Sequence, residues 1–328
     1  MKMRGVDLAR FQFDFDLTWA AVILRADGMV LGRYGVGARD PMRYNSLEGL
    51  RLALQRSLAL HRATDTTAAV LAGKMPPELE WRHPEDLPYQ PIAQTTDAVK
   101  GCIHCHNVHE ALQEVGRKEG RFATRDFAEW YPPPESLGLV LDRDDGLHIL
   151  EVKAGSPAAQ AGLRAGDVLR SASGQPLVST ADLVWNLHQS PPGATRIDLD
   201  FERDAVVSTL TLALEAGWKV HDAAWRASMF ALPPRPGLWV EEIDDSRRPR
   251  LGLAPDTLAV EVLGLFEAAV KKSGLKKGDI IIEADGRRER RDERAFHFDL
   301  RMRHEEPGSI MKLKVRRGDE TKDIQVRF

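Results

Sequence analysis

The chain has 328 residues, with 46 Lys plus Arg against 49 Asp plus Glu and a formal net charge of −3. That length asks for about two or three domains. The near-neutral balance excludes a dedicated basic nucleic-acid binder and charge-driven disorder. The longest apolar run near the N-terminus, Trp19 to Leu24, is far short of the roughly 20 residues that span a bilayer, and Met1 to Asp7 opens no apolar leader.

Trp19 to Leu24 is an apolar run with the length of a buried strand, Ala26-Asp27-Gly28 is turn chemistry, and Met29 to Gly35 returns as a second strand. Ser46 reads as an N-cap. Leu47, Leu50, Leu54, Leu58 and Leu60 then recur at helical spacing, which predicts a leucine face packed on the hairpin. Ahead of the hairpin, Phe11, Phe13 and Phe15 alternate with Gln12 and Asp14, the pattern of an edge strand or loop burying three rings. Pro76, Pro77, Pro84, Pro88 and Pro91 predict an extended connection over residues 62–100.

A helical stretch over 101–130 opens with Gly101-Cys102-Ile103-His104-Cys105-His106-Asn107-Val108-His109, which uses the only two cysteines. Cys-x-x-Cys-His is the attachment signature of c-type haem: two thiols one turn apart reach the porphyrin vinyls and His106 reaches the iron. His61, His83, His109 and Met75 are candidates for the sixth ligand. Two other readings stay open. One is a zinc or other metal site on Cys102, Cys105, His106 and His109; the other is a structural or redox thiol pair.

The remainder contains an internal repeat. Gly162-Leu163-Arg164-Ala165-Gly166-Asp167-Val168-Leu169 recurs as Gly274-Leu275-Lys276-Lys277-Gly278-Asp279-Ile280-Ile281, and Gly174 recurs as Gly286. Upstream, Leu137-Gly138-Leu139 is matched with Leu251-Gly252-Leu253. Between the copies lie Trp218, Trp225, Trp239 and Pro233-Pro234, too aromatic a stretch for a free tether. Arg287 to Arg294 interleaves acids with bases and reads as a solvated surface rather than a nucleic-acid face.

The Ser156-Pro157-Ala158-Ala159-Gln160-Ala161-Gly162-Leu163 segment followed by Ala165-Gly166-Asp167 resembles PDZ domains of the bacterial, protease-associated type. The resemblance implies that Leu137-Gly138-Leu139 and Leu251-Gly252-Leu253 form carboxylate-binding loops. Groove helices are then expected from Thr180 through Leu187 and from Glu293 to Met302, with a peptide C-terminus adding as a strand. No Gly-x-Ser-x-Gly or Gly-Asn/Asp-Ser-Gly segment occurs, and His304-Glu305-Glu306 lacks the second zincin histidine, so protease chemistry is not expected from this chain.

The blocks Met3 to Leu8, Phe11 to Trp19, Tyr34-Gly35 and Cys102 to His106, together with the PDZ copies, resemble a bacterial thioredoxin-like/PDZ family that includes selenoproteins. That resemblance implies a Cys or selenocysteine redox motif ahead of Met3, absent here, and a cis-proline where Leu17 stands. A start forced downstream of a selenocysteine codon is the corresponding expectation.

The chain thus reads as α+β, with a partial thioredoxin-like α/β unit at 1–62 and a Pro-rich connection with a helical Cys-x-x-Cys-His segment at 63–134. Two tandem PDZ domains follow at 135–216 and 249–328, β-barrel-like sandwiches capped by helices, joined by an aromatic linker at 217–248. The expected function is binding of protein or peptide C-termini, coupled to a haem c or redox segment with a redox partner, in the bacterial envelope. The alternatives are a PDZ adaptor with a structural Zn or thiol cluster and an oxidoreductase whose active motif lies upstream. The missing leader keeps the cytoplasm open as the other compartment.

Overall fold

The computed structural model describes residues 3–63, 67–89 and 102–328. Part of the Pro-rich connection, including Pro91, lies outside the described residues, as does Gly101. The chain divides into two units: Met1–Phe122 with Asp126–Asp222, and Ala123–Arg125 with Ala223–Phe328.

The first unit opens with the hairpin of β1 (Ala21–Leu24) and β2 (Val30–Tyr34). Gly28 turns it at φ 87°, a conformation that suits a residue without Cβ. Helix α1 (Leu47–Arg62) starts where Ser46 Oγ accepts the Gly49 N–H at 2.9 Å. Its buried face is not the leucine stripe. Gly49, Ala53 and Ser57 are buried, while Leu47, Leu54 and Leu58 are exposed. The reason is close approach: a Cβ on Gly49 would lie 2.7 Å from Tyr34 Oη, and one on Gly32 would lie 3.3 Å from Ser57 Oγ. Only small side chains fit between α1 and β2. Leu54→Gln is therefore expected to change stability by less than about 0.5 kcal/mol. Ala53→Leu should cost about 1–3 kcal/mol by overpacking, both read from urea unfolding.

A thioredoxin-like unit is not shown. Among the described residues β1 and β2 form a two-stranded sheet of their own. The Phe11–Trp19 block is irregular, and Gln12 and Asp14 are buried along with Phe15 while Phe11 and Phe13 are half-buried, so the three rings are not the buried side. A short helix α2 (Ala68–Leu71) and, beyond the connection, α3 (Cys105–Lys118) follow.

The first repeat copy completes this unit. Strands β3 (Leu139–Leu141) and β4 (Ile149–Val152) pair with each other. Helix α4 (Pro157–Gln160) is capped by Ser156 and ends before Gly162 at φ 93°. Strands β5 (Val168–Ala172), β6 (Gln175–Pro176), β7 (Thr195–Arg203) and β8 (Val206–Leu214) form a sheet ordered β6-β5-β7-β8, and α5 (Thr180–Gln189) packs Leu183 and Leu187 into the core.

In the second unit β9 (Leu238–Glu242), β10 (Val260–Leu265), β11 (Ile280–Ala284), β12 (Ile310–Arg317) and β13 (Glu320–Arg327) form one sheet ordered β13-β12-β11-β10-β9. Helices α6 (Ala268–Lys272) and α7 (Glu293–Arg303) complete it, with Phe296 and Leu300 in the core where the first copy has Leu183 and Leu187. The same brace recurs in both copies. Arg203 grips Asp167 at 2.7 and 2.8 Å, and Arg317 grips Asp279 at the same two distances. Strand β9 lies inside the stretch read as linker, so the second copy begins earlier than residue 249. No helix of the described residues is long and apolar enough to cross a membrane.

Candidate functional site

In the first copy Leu137, Gly138 and Leu139 are buried at the start of β3. Gly138 has φ 84°, and a Cβ there would lie 2.1 Å from the Ser156 Cβ. Its carbonyl accepts the Lys153 N–H at 2.8 Å. Helix α5 runs from the β3–β4 turn, where Thr180 Oγ1 donates to Gly146 O at 2.7 Å, to the loop end, where Tyr131 stacks on His188 at 3.9 Å.

This groove face is covered from one end to the other by the chain itself. Val36 and Tyr44 join Ala181 and Val184 in one buried cluster. Arg43 and the Tyr44 hydroxyl both bond the Glu135 carboxylate just before the loop. At the far end Arg56 donates to Asp145 O at 2.8 Å and to its carboxylate at 2.7 Å. Thr180 through Leu187 are all buried.

The second copy corrects the loop assignment. Leu251-Gly252-Leu253 does not precede β9; it lies inside the β9–β10 connection. The structural counterpart of Gly138 is Gly237. A Cβ on Gly237 (φ 60°) would lie 2.5 Å from Glu267 Cγ, and Glu267 precedes α6 as Ser156 precedes α4. The Gly237 carbonyl accepts the Phe266 N–H at 2.6 Å, as Gly138 accepts Lys153. The loop is Pro236-Gly237-Leu238. The connection over 243–259, longer than 142–148 in the first copy, breaks the constant offset that the sequence match relied on. Buried Arg248 holds it by donating to the carbonyls of Ile243, Ala254 and Thr257.

Strand β9 is the edge of its sheet, and its outward Trp239 is 51% exposed. Phe266 and Phe230 are also exposed. Phe230 sits over α7 as Tyr131 sits over α5, with its ring 5.5 Å from His297. Arg294 of α7 donates to Trp225 O at 3.0 Å and Arg301 to Leu232 O at 3.2 Å.

The Cys-x-x-Cys-His residues sit at the start of α3. Cys102 is exposed, whereas Cys105 opens α3 inside the buried cluster that includes Phe15, Ile103 and Val108. Burial pushes the Cys105 thiol up, and the Asp16 carboxylate adds to that. His106 stacks on His104 at 5.6 Å, with its Nε2 3.9 Å from Glu110. Of the sixth-ligand candidates, Met75 Sδ accepts the Val30 N–H at 3.4 Å and His109 pairs with Asp16 at 2.8 Å.

A PDZ-domain family model matches residues 136–214 and 262–328. Two segments of this chain are PDZ domains. A probable DegP-like periplasmic serine endoprotease of Marinomonas sp. (strain MWYL1) is 29% identical over 154 residues, covering 47% of this chain and 31% of that protein. One from Pseudomonas savastanoi pv. phaseolicola is 30% identical over 150 residues, 45% of this chain and 30% of that protein. The periplasmic serine endoprotease DegP of Salmonella typhimurium is 26% identical over 183 residues, 56% of this chain and 34% of that protein. The chain spans about a third of the length of these curated relatives. Among solved structures, the HtrA3 PDZ domain bound to a phage-derived ligand matches at 20% identity and TM-score 0.23, over 28% of this chain and 80% of that one. The HtrA-type protease AlgW S227A with a decapeptide matches at 22% and 0.25, over 28% of this chain and 27% of that one.

Proposed function

We propose that this chain is a peptide-docking protein whose second PDZ copy captures peptide C-termini, while the first copy serves as a packing module closed by residues 36–56. The observation that carries the proposal is the contrast between the two grooves. Both have the same glycine loop, but Val36, Tyr44 and Arg56 cover the first. Among the described residues β9, like β3, is a sheet edge, and although Phe230 lies over His297 of α7, the β9 side keeps Trp239 51% exposed next to the loop. An added peptide strand gains main-chain hydrogen bonds on β9 and seats its carboxylate at the N–H groups around Gly237. The periplasm, for which the DegP-like relatives are named, is the compartment that fits such a docking role.

The test is fluorescence anisotropy with a labelled decapeptide ending in Trp-Val, with a free carboxylate or amidated. Amidation and Gly237→Val should each weaken binding at least about tenfold, close to 1.4 kcal/mol. Trp239→Ala, which leaves the loop backbone alone, should weaken it several-fold, and Gly138→Val should leave it unchanged. Equal affinity for the amidated peptide, or loss on Gly138→Val with Gly237→Val unaffected, would sink the reading.

A further inference from the structure

Two motifs far apart in sequence meet in the first unit, and neither belongs to a groove. Asp14 and Asp16 come from the irregular Phe11–Trp19 block, and His109 comes from α3. His109 Nδ1 lies 2.8 Å from Asp16 Oδ2 and 3.9 Å from Asp14 Oδ1, and the three donor atoms all lie within 4.8 Å of one another. The side chains are 7%, 0% and 4% exposed for Asp14, Asp16 and His109. Their placement is braced. Asp14 Oδ1 accepts the Asp16 N–H at 3.2 Å, and the rings of Phe15 and Trp130 stand 5.1 and 4.7 Å from the imidazole.

We propose that Asp14, Asp16 and His109 form a three-donor site for a divalent first-row transition-metal ion. Two carboxylates and an imidazole gathered away from water are the donor types that a divalent cation holds. An ion about 2.0–2.2 Å from each donor spans donors up to about 4.4 Å apart; His109 Nδ1 lies inside that span from both carboxylates, and the whole set, within 4.8 Å, needs at most a small closure of the two aspartates. The donor set of two carboxylates and one imidazole, with no thiolate, suits ions of the Zn²⁺ and Mn²⁺ kind. On binding, the proton that Nδ1 shares with Asp16 moves to Nε2 or to solvent.

The Asp14 side of the proposed site borders a small cavity that would hold an open coordination position. Asp14 lines a cavity of about 20 Å³, room for about one water, together with Tyr34, Tyr131, Trp185 and Arg33. Arg33 is almost wholly buried, and among the described residues its Nη1 has no hydrogen-bond partner. A metal-bound water or hydroxide in that cavity would give this N–H its acceptor.

The experiment is titration of the intact chain with Zn²⁺ by calorimetry, with Co²⁺ as the spectroscopic substitute and a chelator-stripped sample as the start. One equivalent of Zn²⁺ is expected to bind. Asp14→Asn and Asp16→Asn, close in shape to the native residues, should each weaken it at least tenfold, while Cys102→Ser and His106→Gln change it less than twofold. Co²⁺ should give visible d–d bands without a near-ultraviolet thiolate charge-transfer band, a readout on the unmodified chain that survives any folding failure of a variant. The site is overturned by absence of saturable Zn²⁺ binding or by binding retained in both Asn variants. It is equally overturned by a thiolate band with loss on Cys102→Ser, which would assign the ion to the Cys-His segment instead.

Discussion

Replacing Asp182 by alanine is expected to destabilise the first unit by about 3–5 kcal/mol. Asp182 lies at the start of α5, is buried, and pairs with buried Lys74 at 2.6 Å. Its carboxylate also accepts the backbone N–H groups of Arg33 and Val178, both at 3.0 Å. It therefore ties β2, the Lys74 segment and the first groove helix at one point. Burial pushes the Lys74 ammonium down, and Asp182 opposes that. Without Asp182 a charged amine and two N–H groups are left without their acceptor in the interior. Adding Lys74→Met should recover at least half of the loss, because removing the stranded charge removes its desolvation cost. Urea unfolding followed by tryptophan fluorescence measures both. A loss below about 1 kcal/mol for Asp182→Ala would mean that water reaches the pair.

Acid should weaken the second unit through His297. Its imidazole is pushed down to about 3, first by burial and then by Arg301, beside which Arg235 also stands. Phe230 and Phe296 flank the ring at 5.5 and 5.7 Å, and Arg301 Nη1 lies 3.3 Å from Nδ1. The folded chain therefore leaves this histidine neutral down to about pH 3, whereas the unfolded chain protonates it below about pH 6.5. Between those values the unfolded state binds more protons, so stability falls as pH falls, by up to about 1.4 kcal/mol per pH unit. Above about pH 6.5 the contribution is flat. By pH 5 the expected loss is about 2 kcal/mol. His297→Val, which installs the residue type that Val184 supplies on α5, should remove this share of the slope while leaving that of the carboxylates. Identical urea midpoint shifts between pH 7 and 5 in the two proteins would refute the assignment.

What could be read from sequence was local. The Ser156-Pro157 and Gly162 helix ends and the Gly166-Asp167 and Gly278-Asp279 turns are set by capping and backbone preference within a few residues, so a single sequence carries them, and the helices at Thr180 and Glu293 followed from the PDZ resemblance that those residues carry. The β1–β2 hairpin and the Ser46 cap were legible for the same reason. The second loop was not. Gly237 and Gly252 both have positive φ, and only the pairing of Leu238 with Leu265 tells which of them precedes the edge strand. The buried side of α1 was also hidden, because leucine spacing reports which residues are apolar and not how closely β2 approaches. Covering of the first groove by Val36 and Tyr44, and the meeting of Asp14 and Asp16 with His109, depend on contacts between segments about 90 to 150 residues apart. Local turn and cap chemistry thus made the PDZ copies readable from the residues alone. Which residues pack on the first groove helix, and which buried acids share a histidine, follows from long-range packing, which has no signature at short sequence separation.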